Sequence, residues 1–213
     1  MKKRLICLFL CMGFMFMLPL QASASAFYRR VQYGLLQSYE NLVYDYSISI
    51  YDRFTMISDE DLEYLWRHIE AAYEEGDDEV YDLRVWISPD YRYQFEVQVK
   101  EPTFDSFEEE VENAPRYLEL WGSDYSPEQN VRQLHDGILR ETSAGTMLET
   151  AISYDTADES GNSYTVVFLY YDYYGEQAEY CFSLSAYDGD YEAAQEMLDE
   201  ICQTIHFGLS VPI

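Results

Sequence analysis

Apolar and polar side chains alternate along several stretches of the chain, which is the pattern of strands with one buried face. The stretch from Leu42 to Tyr51 alternates in this way and predicts the first strand. Residues 81–87 and 91–99 alternate on either side of a Ser-Pro-Asp turn at residues 88–90, so together they predict a β-hairpin. Residues 27–39 are ambiguous, and we interpret them as a short helix.

Four further strands are predicted in the second half of the chain, at residues 138–142, 147–155, 163–174 and 177–187. Turn residues around glycines separate them, so we expect an antiparallel meander. The strand at 163–174 is apolar on both sides, which indicates that both faces of the sheet are covered. We therefore predict a single-domain α+β fold, an antiparallel sheet with helices packed on both faces in a three-layer α/β/α sandwich.

Helical spacing of apolar residues predicts two amphipathic helices. The first begins at Ser58, which forms a capping box with Asp61, and ends at Gly76. The second covers about residues 190–206, with Asp188 or Asp190 as its cap. Two shorter helices are also predicted, with Ser106 and Ser126 as their N-cap residues.

The first 26 residues have the layout of a secretory signal peptide. Three basic residues precede an apolar run of 16 residues, and small residues follow, so cleavage is expected after Ala24 or Ala26. No second apolar segment of comparable length follows. We therefore predict a secreted or extracytoplasmic protein, with residues 27–213 as one domain and no membrane insertion after cleavage.

The chain is strongly acidic, with 13 basic against 40 acidic side chains among 213 residues. Cleavage would leave 10 basic side chains, a formal charge of −30 and one lysine, Lys100. Such a surface repels phosphate backbones and anionic lipids, so nucleic acid is excluded as a partner class. Cationic peptides, basic proteins and divalent cations remain, although an acidic surface can also serve solubility alone.

Two cysteines remain after cleavage, Cys181 and Cys202. Secretion permits a disulfide between them. Cys202 lies on the apolar stripe of the last predicted helix, and Cys181 lies on a strand beside small residues, so a bridge is geometrically possible. Two separately buried thiols are the alternative.

Sequence motifs for catalysis, metals and cofactors are lacking. The histidines His68, His135 and His206 are isolated, and there is no C-x-x-C, H-E-x-x-H, G-x-S-x-G or phosphate-binding glycine loop. We therefore predict no metal site, no cofactor and no enzyme. Calcium is the least improbable ligand, at acidic loops of residues 76–79, 155–162 and 188–190. None of these loops has EF-hand spacing, and solvated turns or helix caps are the favoured interpretation.

Tyrosines are unusually frequent, with 22 in the chain, and four of them crowd one strand end: Tyr170, Tyr171, Tyr173 and Tyr174. Strand alternation places one pair on each face of the sheet. Tyrosine offers a large amphipathic contact area, so these side chains are the candidate ligand-binding residues for a glycan or a peptide. Core packing is the alternative.

The order of strand, hairpin, helix, meander and C-terminal helix resembles the PsbP-like family of extracytoplasmic domains. The segments that carry the resemblance are residues 91–107, with the helix start Ser-Phe-Glu-Glu at 106–109, and residues 194–207. This family implies a scaffold for binding and assembly without shared catalytic residues. We therefore expect a secreted acidic non-enzymatic binding or assembly domain, whose partner is an unknown protein, peptide or cell-surface glycan. The alternative is a small secreted hydrolase that uses a carboxylate pair.

Overall fold

The computed structural model describes residues 32–63, 80–121, 129–157, 161–175 and 178–208. The predicted signal peptide at 1–26 lies outside these ranges, and so does most of the helix predicted after Ser58, of which residues 59–63 are helical. The strands of the described ranges are β1 (Leu36–Asn41), β2 (Tyr46–Tyr51), β3 (Thr55–Met56), β4 (Val80–Ile87), β5 (Tyr93–Lys100), β6 (Arg132–Gln133), β7 (Ile138–Thr142), β8 (Gly145–Ala157), β9 (Ser163–Tyr174), β10 (Glu179–Ala186) and β11 (His206–Phe207). The helices are α1 (Phe107–Asn113), α2 (Tyr117–Trp121) and α3 (Tyr191–Cys202).

A large antiparallel sheet forms the centre of the molecule, with the strand order β3-β4-β5-β10-β9-β8-β6 and β7 paired to β8. The predicted hairpin is confirmed as β4 and β5, and the predicted meander is confirmed as β7 to β10. The pairing of β10 with β5 joins the two halves of the chain into one sheet. The fold is α+β, as the alternation patterns predict.

The first face of the large sheet carries Phe95, Leu169 and Leu184, and it is covered by α3 and by a small sheet of order β1-β2-β11. The prediction of one strand from Leu42 to Tyr51 was wrong at its start, since residues 42–45 form the turn between β1 and β2. The predicted helix at 27–39 was also wrong at its end, because residues 36–39 belong to β1. In the described part of the chain, no helix is long and apolar enough to cross a membrane.

The second face of the large sheet carries a separate apolar cluster, in which Tyr117 of α2 packs on β8 and β9 with Ile152 and Phe168. A further small cluster joins Leu62 to Val85 of β4. A complete helical layer on both faces stays a prediction. All eight residues of β5 are buried, including the polar ones on this face: Gln94, Glu96, Gln98 and Lys100.

Cys181 and Cys202 are both buried, and neither forms a disulfide. Cys181 belongs to the apolar cluster on the second face, whereas Cys202 belongs to the core on the first face. The sheet itself separates the two thiols, so the disulfide that the sequence permits does not form. The structure instead has two separately buried thiols, which was the alternative prediction.

Reduction is therefore expected to leave the stability of the protein unchanged. Because no bridge constrains the unfolded chain, dithiothreitol should not lower the melting temperature, whereas breaking a structural disulfide typically costs about 2–5 kcal/mol. The measurement is a pair of thermal melts with and without dithiothreitol. A drop in melting temperature that requires reductant and disappears in the Cys202→Ala variant would contradict the absence of a disulfide.

Candidate functional site

The four candidate tyrosines at the end of β9 lie on alternate faces of the sheet. Tyr170 packs in the second-face cluster and Tyr171 in the first-face core, which confirms the predicted division between faces. Both side chains are buried, so neither contributes to an exposed ligand-binding patch. Tyr173 and Tyr174 are half-buried, because they lie where β9 reaches the end of the sheet.

Tyr173 belongs to a cluster of rings at this end of the molecule. Its ring stacks on Phe207 of β11, with centroids 4.8 Å apart and planes 15° apart, and Tyr180 packs edge-on against the same Phe207 at 4.8 Å. The Tyr180 hydroxyl donates to the carbonyl oxygen of Tyr44, at 3.0 Å. The rings therefore support the β1–β2 turn, which lies beside them.

Leu42 and Val43 project from this turn into solvent, with 73% and 82% of their surface exposed. The turn is nevertheless well held. The Asn41 side-chain oxygen accepts from the backbone N–H groups of Val43 and Tyr44, at 3.0 and 3.2 Å. The Asn41 side-chain amide in turn donates to Asp82 of β4, at 2.8 Å. We call Leu42 and Val43 the apolar tip.

The second half of the turn is fixed in the same manner. Asp45 adopts a left-handed conformation with φ of +53°, and its carbonyl oxygen accepts from the N–H of Gly208, at 3.2 Å. The Tyr44 hydroxyl donates to the carbonyl oxygen of Tyr81, at 2.6 Å. The backbone that presents the apolar tip is thus tied to β4, β10 and the residue after β11.

A second constellation lies at the same end of the large sheet, on its second face. Glu110, Asp172 and Glu179 are at most 2% exposed, and carboxylate oxygens from all three lie within 4.8 Å of one another. Lys100 forms an ion pair with Glu179, with 2.8 Å between Nζ and Oε1. We call the three acidic residues the carboxylate cluster. Among the described residues, it is the one group of three or more that could hold a metal ion.

Strand register explains why these side chains meet. Glu179 of β10 lies directly opposite Lys100 of β5 on one side and opposite Tyr174 of β9 on the other. Directly opposite residues of an antiparallel pair project to the same face. Asp172 lies one side-chain position further along that face of β9. Glu110 reaches the same place from α1, as the buried residue of that helix.

Tyr174 shares the environment of the carboxylate cluster. Burial raises the pKa of its hydroxyl, and the nearby charges of Glu179, Glu110 and Asp172 raise it further. The group therefore remains a neutral phenol at physiological pH, and its oxygen accepts from the N–H of Phe104, at 3.3 Å. Carboxylates and a phenol are hard oxygen donors, the type that Ca²⁺ and Mg²⁺ prefer.

Sequence reasoning missed the carboxylate cluster. It predicted no metal site, because the histidines are isolated in sequence and no metal-binding motif occurs. The one signal that the sequence contains is the single lysine after residue 26, at the polar end of a strand that proves to be central. Because Lys100 is buried, it requires an acidic partner.

Glu149 of β8 forms a third polar group, on the first face of the sheet, where it is fully buried. Its two oxygens accept from five side chains at 2.6–3.2 Å, namely His135, Arg140, Tyr171, Tyr191 and Gln195. Burial alone would raise the pKa of this carboxyl, but the hydrogen bonds and the charge of Arg140 lower it to about 2. These donors keep the carboxylate ionised and fix its position.

The acidic loops predicted as calcium candidates serve other purposes where the structure describes them. Asp188 pairs with Arg92, and the Asp190 side chain caps α3. Asp155 accepts hydrogen bonds from side chains of neighbouring loops and strands. Residues 76–79 lie outside the described ranges. These described acids therefore have ion-pair or hydrogen-bond partners within the protein.

Comparisons with known proteins relate this chain to others through structure alone. No protein family matches the sequence, and no curated protein matches it. The solution structure of cyanobacterial PsbP (CyanoP) from Synechocystis sp. PCC 6803 is similar with a TM-score of 0.51 and 11% identity, over 88% of this chain and 98% of that one. A mutant of protein Mog1 gives a TM-score of 0.48 and 12% identity, over 82% and 96% of the two chains. The CyanoP likeness shows a PsbP-like fold.

Proposed function

We propose that the chain is a secreted, non-enzymatic binding domain that engages a protein partner through the apolar tip. The observation that carries the proposal is the exposure of Leu42 and Val43 on a turn that hydrogen bonds hold in place. Exposed apolar side chains on a fixed backbone lose little conformational freedom when a partner covers them. Such a turn is pre-organised for binding while contributing almost nothing to the core.

The surroundings of the tip favour a protein over a lipid surface. The chain as a whole is strongly acidic, and Glu40, Asp45 and Asp82 lie in or beside the turn. Anionic headgroups are repelled by such a surface, whereas a pocket with basic residues at its rim is attracted to it. The resemblance to PsbP-like domains supports the same proposal, because it implies a scaffold for binding and assembly.

Replacing both tip residues by serine is expected to abolish partner binding without weakening the fold. The free energy of unfolding should change by less than about 0.5 kcal/mol, because exposed side chains contribute little to it. Affinity should fall at least tenfold, since two central apolar contacts are lost. The measurements are urea unfolding and, for a partner identified by cross-linking in the native secretome, calorimetry with the purified protein.

The control is Leu139→Ser, which removes an exposed leucine from β7 at the opposite edge of the large sheet. It should bind like the wild type. Equal loss of affinity in both variants would contradict a specific role for the tip. If the protein instead sediments with lipid vesicles, and does so only when Leu42 and Val43 are present, the tip is a membrane contact.

The carboxylate cluster is the observation that favours the alternative, a small hydrolase with a carboxylate pair. Retaining glycosidases place two carboxyl groups about 5 Å apart, and the carboxylate oxygens here lie within 4.8 Å of one another. The hydrolase is less favoured than the binding domain because all three acids are buried, whereas a substrate must reach the reacting oxygens. Turnover of nitrophenyl glycosides that Asp172→Asn abolishes would establish it.

A further inference from the structure

The dipeptide Asp-Gly occurs twice in the chain, at residues 136–137 and 188–189. In this dipeptide the backbone nitrogen of the glycine can attack the side-chain carboxyl carbon of the aspartate, because glycine has no side chain to obstruct the approach. The reaction needs a carboxyl group that can turn towards the nitrogen and a base that removes the proton of the N–H group. The two sites differ in both respects.

The loop between β6 and β7 contains the first site. Asp136 is exposed, and no hydrogen bond or ion pair within the described residues holds its carboxyl group. The N–H of Gly137 donates to Nδ1 of His135, at 3.2 Å. Because Nδ1 accepts this bond, the proton of the neutral ring lies on Nε2, which donates to Glu149 at 3.0 Å. An imidazole base therefore faces the nitrogen that has to lose its proton.

The carboxylate of Glu149 prepares His135 for this role. It fixes the orientation of the ring and the tautomer in which Nδ1 can accept a proton. Its negative charge also compensates the positive charge that the ring gains when Nδ1 takes up that proton. A nucleophile, an imidazole base and an orienting carboxylate are the arrangement that activates nucleophiles in enzymes. Here the nucleophile is the backbone nitrogen of Gly137.

The second site lacks these features. Asp188 forms an ion pair with Arg92, its side chain is 6% exposed, and one of its oxygens accepts from the N–H of Asp190 at 3.2 Å. The N–H of Gly189 donates to the carbonyl oxygen of Ala186, which cannot remove its proton. The chain thus contains an internal control, with the same two residues but a fixed carboxyl group and no base.

We propose that Asp136 is a site of self-catalysed isomerisation to isoaspartate, with His135 as the general base. The carboxyl group of Asp136 reacts in its protonated form. The nitrogen of Gly137 forms a bond to Cγ of Asp136 while its proton moves to Nδ1 of His135. The carboxyl hydroxyl then leaves with that proton as water, which closes a succinimide ring.

Water opens the succinimide ring in either of two ways. Attack at Cγ restores aspartate, whereas attack at the main-chain carbonyl carbon leaves the chain running through the side chain, as isoaspartate. One water molecule is lost and one is gained, so the rearrangement needs no other reactant.

Isoaspartate adds one carbon to the main chain before Gly137, where there is little room. A Cβ atom built on Gly137 would lie 2.7 Å from the Cβ atom of Ala114. The loop must therefore move, and it carries His135 away from Glu149. The aged protein is expected to have a lower melting temperature, because Glu149 loses one of its donors.

The test compares the two Asp-Gly sites in the folded and the unfolded protein. The full protein is incubated at physiological temperature in heavy-oxygen water, because each passage through the succinimide inserts one solvent oxygen at the aspartate, even when aspartate is restored. Peptide mass spectrometry measures the label at residues 136 and 188. In guanidinium chloride the two sites should be labelled at similar rates.

In the folded protein, residue 136 should be labelled about tenfold faster than in guanidinium chloride, because a positioned general base accelerates proton transfer by about 10²–10⁴-fold. Residue 188 should be labelled more slowly in the folded protein than in guanidinium chloride. A folded-state rate at residue 136 that is no higher than the unfolded-state rate would overturn the proposal, and this comparison needs no variant.

A histidine variant tests the assigned base. His135→Gln should lower the labelling rate at residue 136 in the folded protein to that of the unfolded chain, and it should leave residue 188 unchanged. The control is His206→Gln, at an exposed histidine of β11, which should change neither rate. Urea unfolding confirms that both variants are folded. Faster labelling of residue 136 in His135→Gln than in the wild type would show that the fold restrains this site, and would overturn the proposal.

Discussion

Glu149→Gln is expected to lower the free energy of unfolding by about 3 kcal/mol at pH 7. The pKa of Glu149 is about 2 in the fold against an ordinary value of 4.5, and each pH unit of this difference corresponds to about 1.4 kcal/mol. Glutamine keeps the shape of the side chain but removes the charge that Arg140 and its other donors stabilise. Urea unfolding at a series of pH values measures the difference.

The pH dependence has a defined direction. A carboxyl whose pKa is lowered by folding stabilises the protein above its unfolded pKa, and this contribution disappears as the pH falls through the folded pKa. The gap between wild type and Glu149→Gln should therefore be constant above about pH 5 and should close between about pH 4.5 and 2. Glu40→Gln, an exposed position on β1, should leave stability almost unchanged. A gap that stays constant down to pH 2 would contradict the assigned pKa of Glu149.

The network around Glu149 could not be found in the sequence, although the strand that contains it could. Alternation predicts the strand at 147–155, and it places Glu149 on the same face as Ala151. The five donors, however, come from β7, β9, α3 and the loop before β7. Their convergence depends on how α3 crosses the sheet, which local patterns do not specify.

Strand prediction failed where one residue redirected the backbone. Apolar residues alternate from Tyr44 to Ile50 and follow directly on Leu42 and Val43, so the sequence favours one strand that begins at Leu42. Asn41 ends β1 because its side-chain oxygen accepts from the N–H groups of Val43 and Tyr44, as asparagine does in turns. The turn that Asn41 begins also creates the apolar tip. Leu42 and Val43 are exposed because of this turn and not because of the local composition.

Alternation also gave an incomplete account of β5. Its apolar face is correctly predicted, and the polar residues opposite would normally indicate contact with water. They are buried because β5 lies between β4 and β10, with apolar clusters on either side of it on the second face. A buried polar face collects charged groups, and the carboxylate cluster forms at its end, beside Lys100.

Lys100→Met is expected to destabilise the protein by about 3–5 kcal/mol at pH 7, because removal of one partner from a buried ion pair leaves the other uncompensated. Here the remaining charges are three carboxylates that are at most 2% exposed and close to one another. The matched control is Arg116→Met, which breaks the exposed pair of Arg116 and Glu119. That change should cost less than about 1 kcal/mol, as exposed pairs generally do. Urea unfolding at pH 7 compares the two losses.

A second substitution distinguishes electrostatic repulsion from a simple loss of packing. Asp172→Asn removes one of the three like charges, so in the Lys100→Met background it should restore at least half of the lost stability. In the wild-type background it should be neutral or stabilising, because one carboxylate fewer competes for Lys100. If Lys100→Met instead costs less than 1 kcal/mol, either a proton taken up by the carboxylates or a bound cation neutralises the cluster. Dialysis against a chelator separates the two, since a bound divalent ion stabilises only the folded chain and its removal would expose the missing instability.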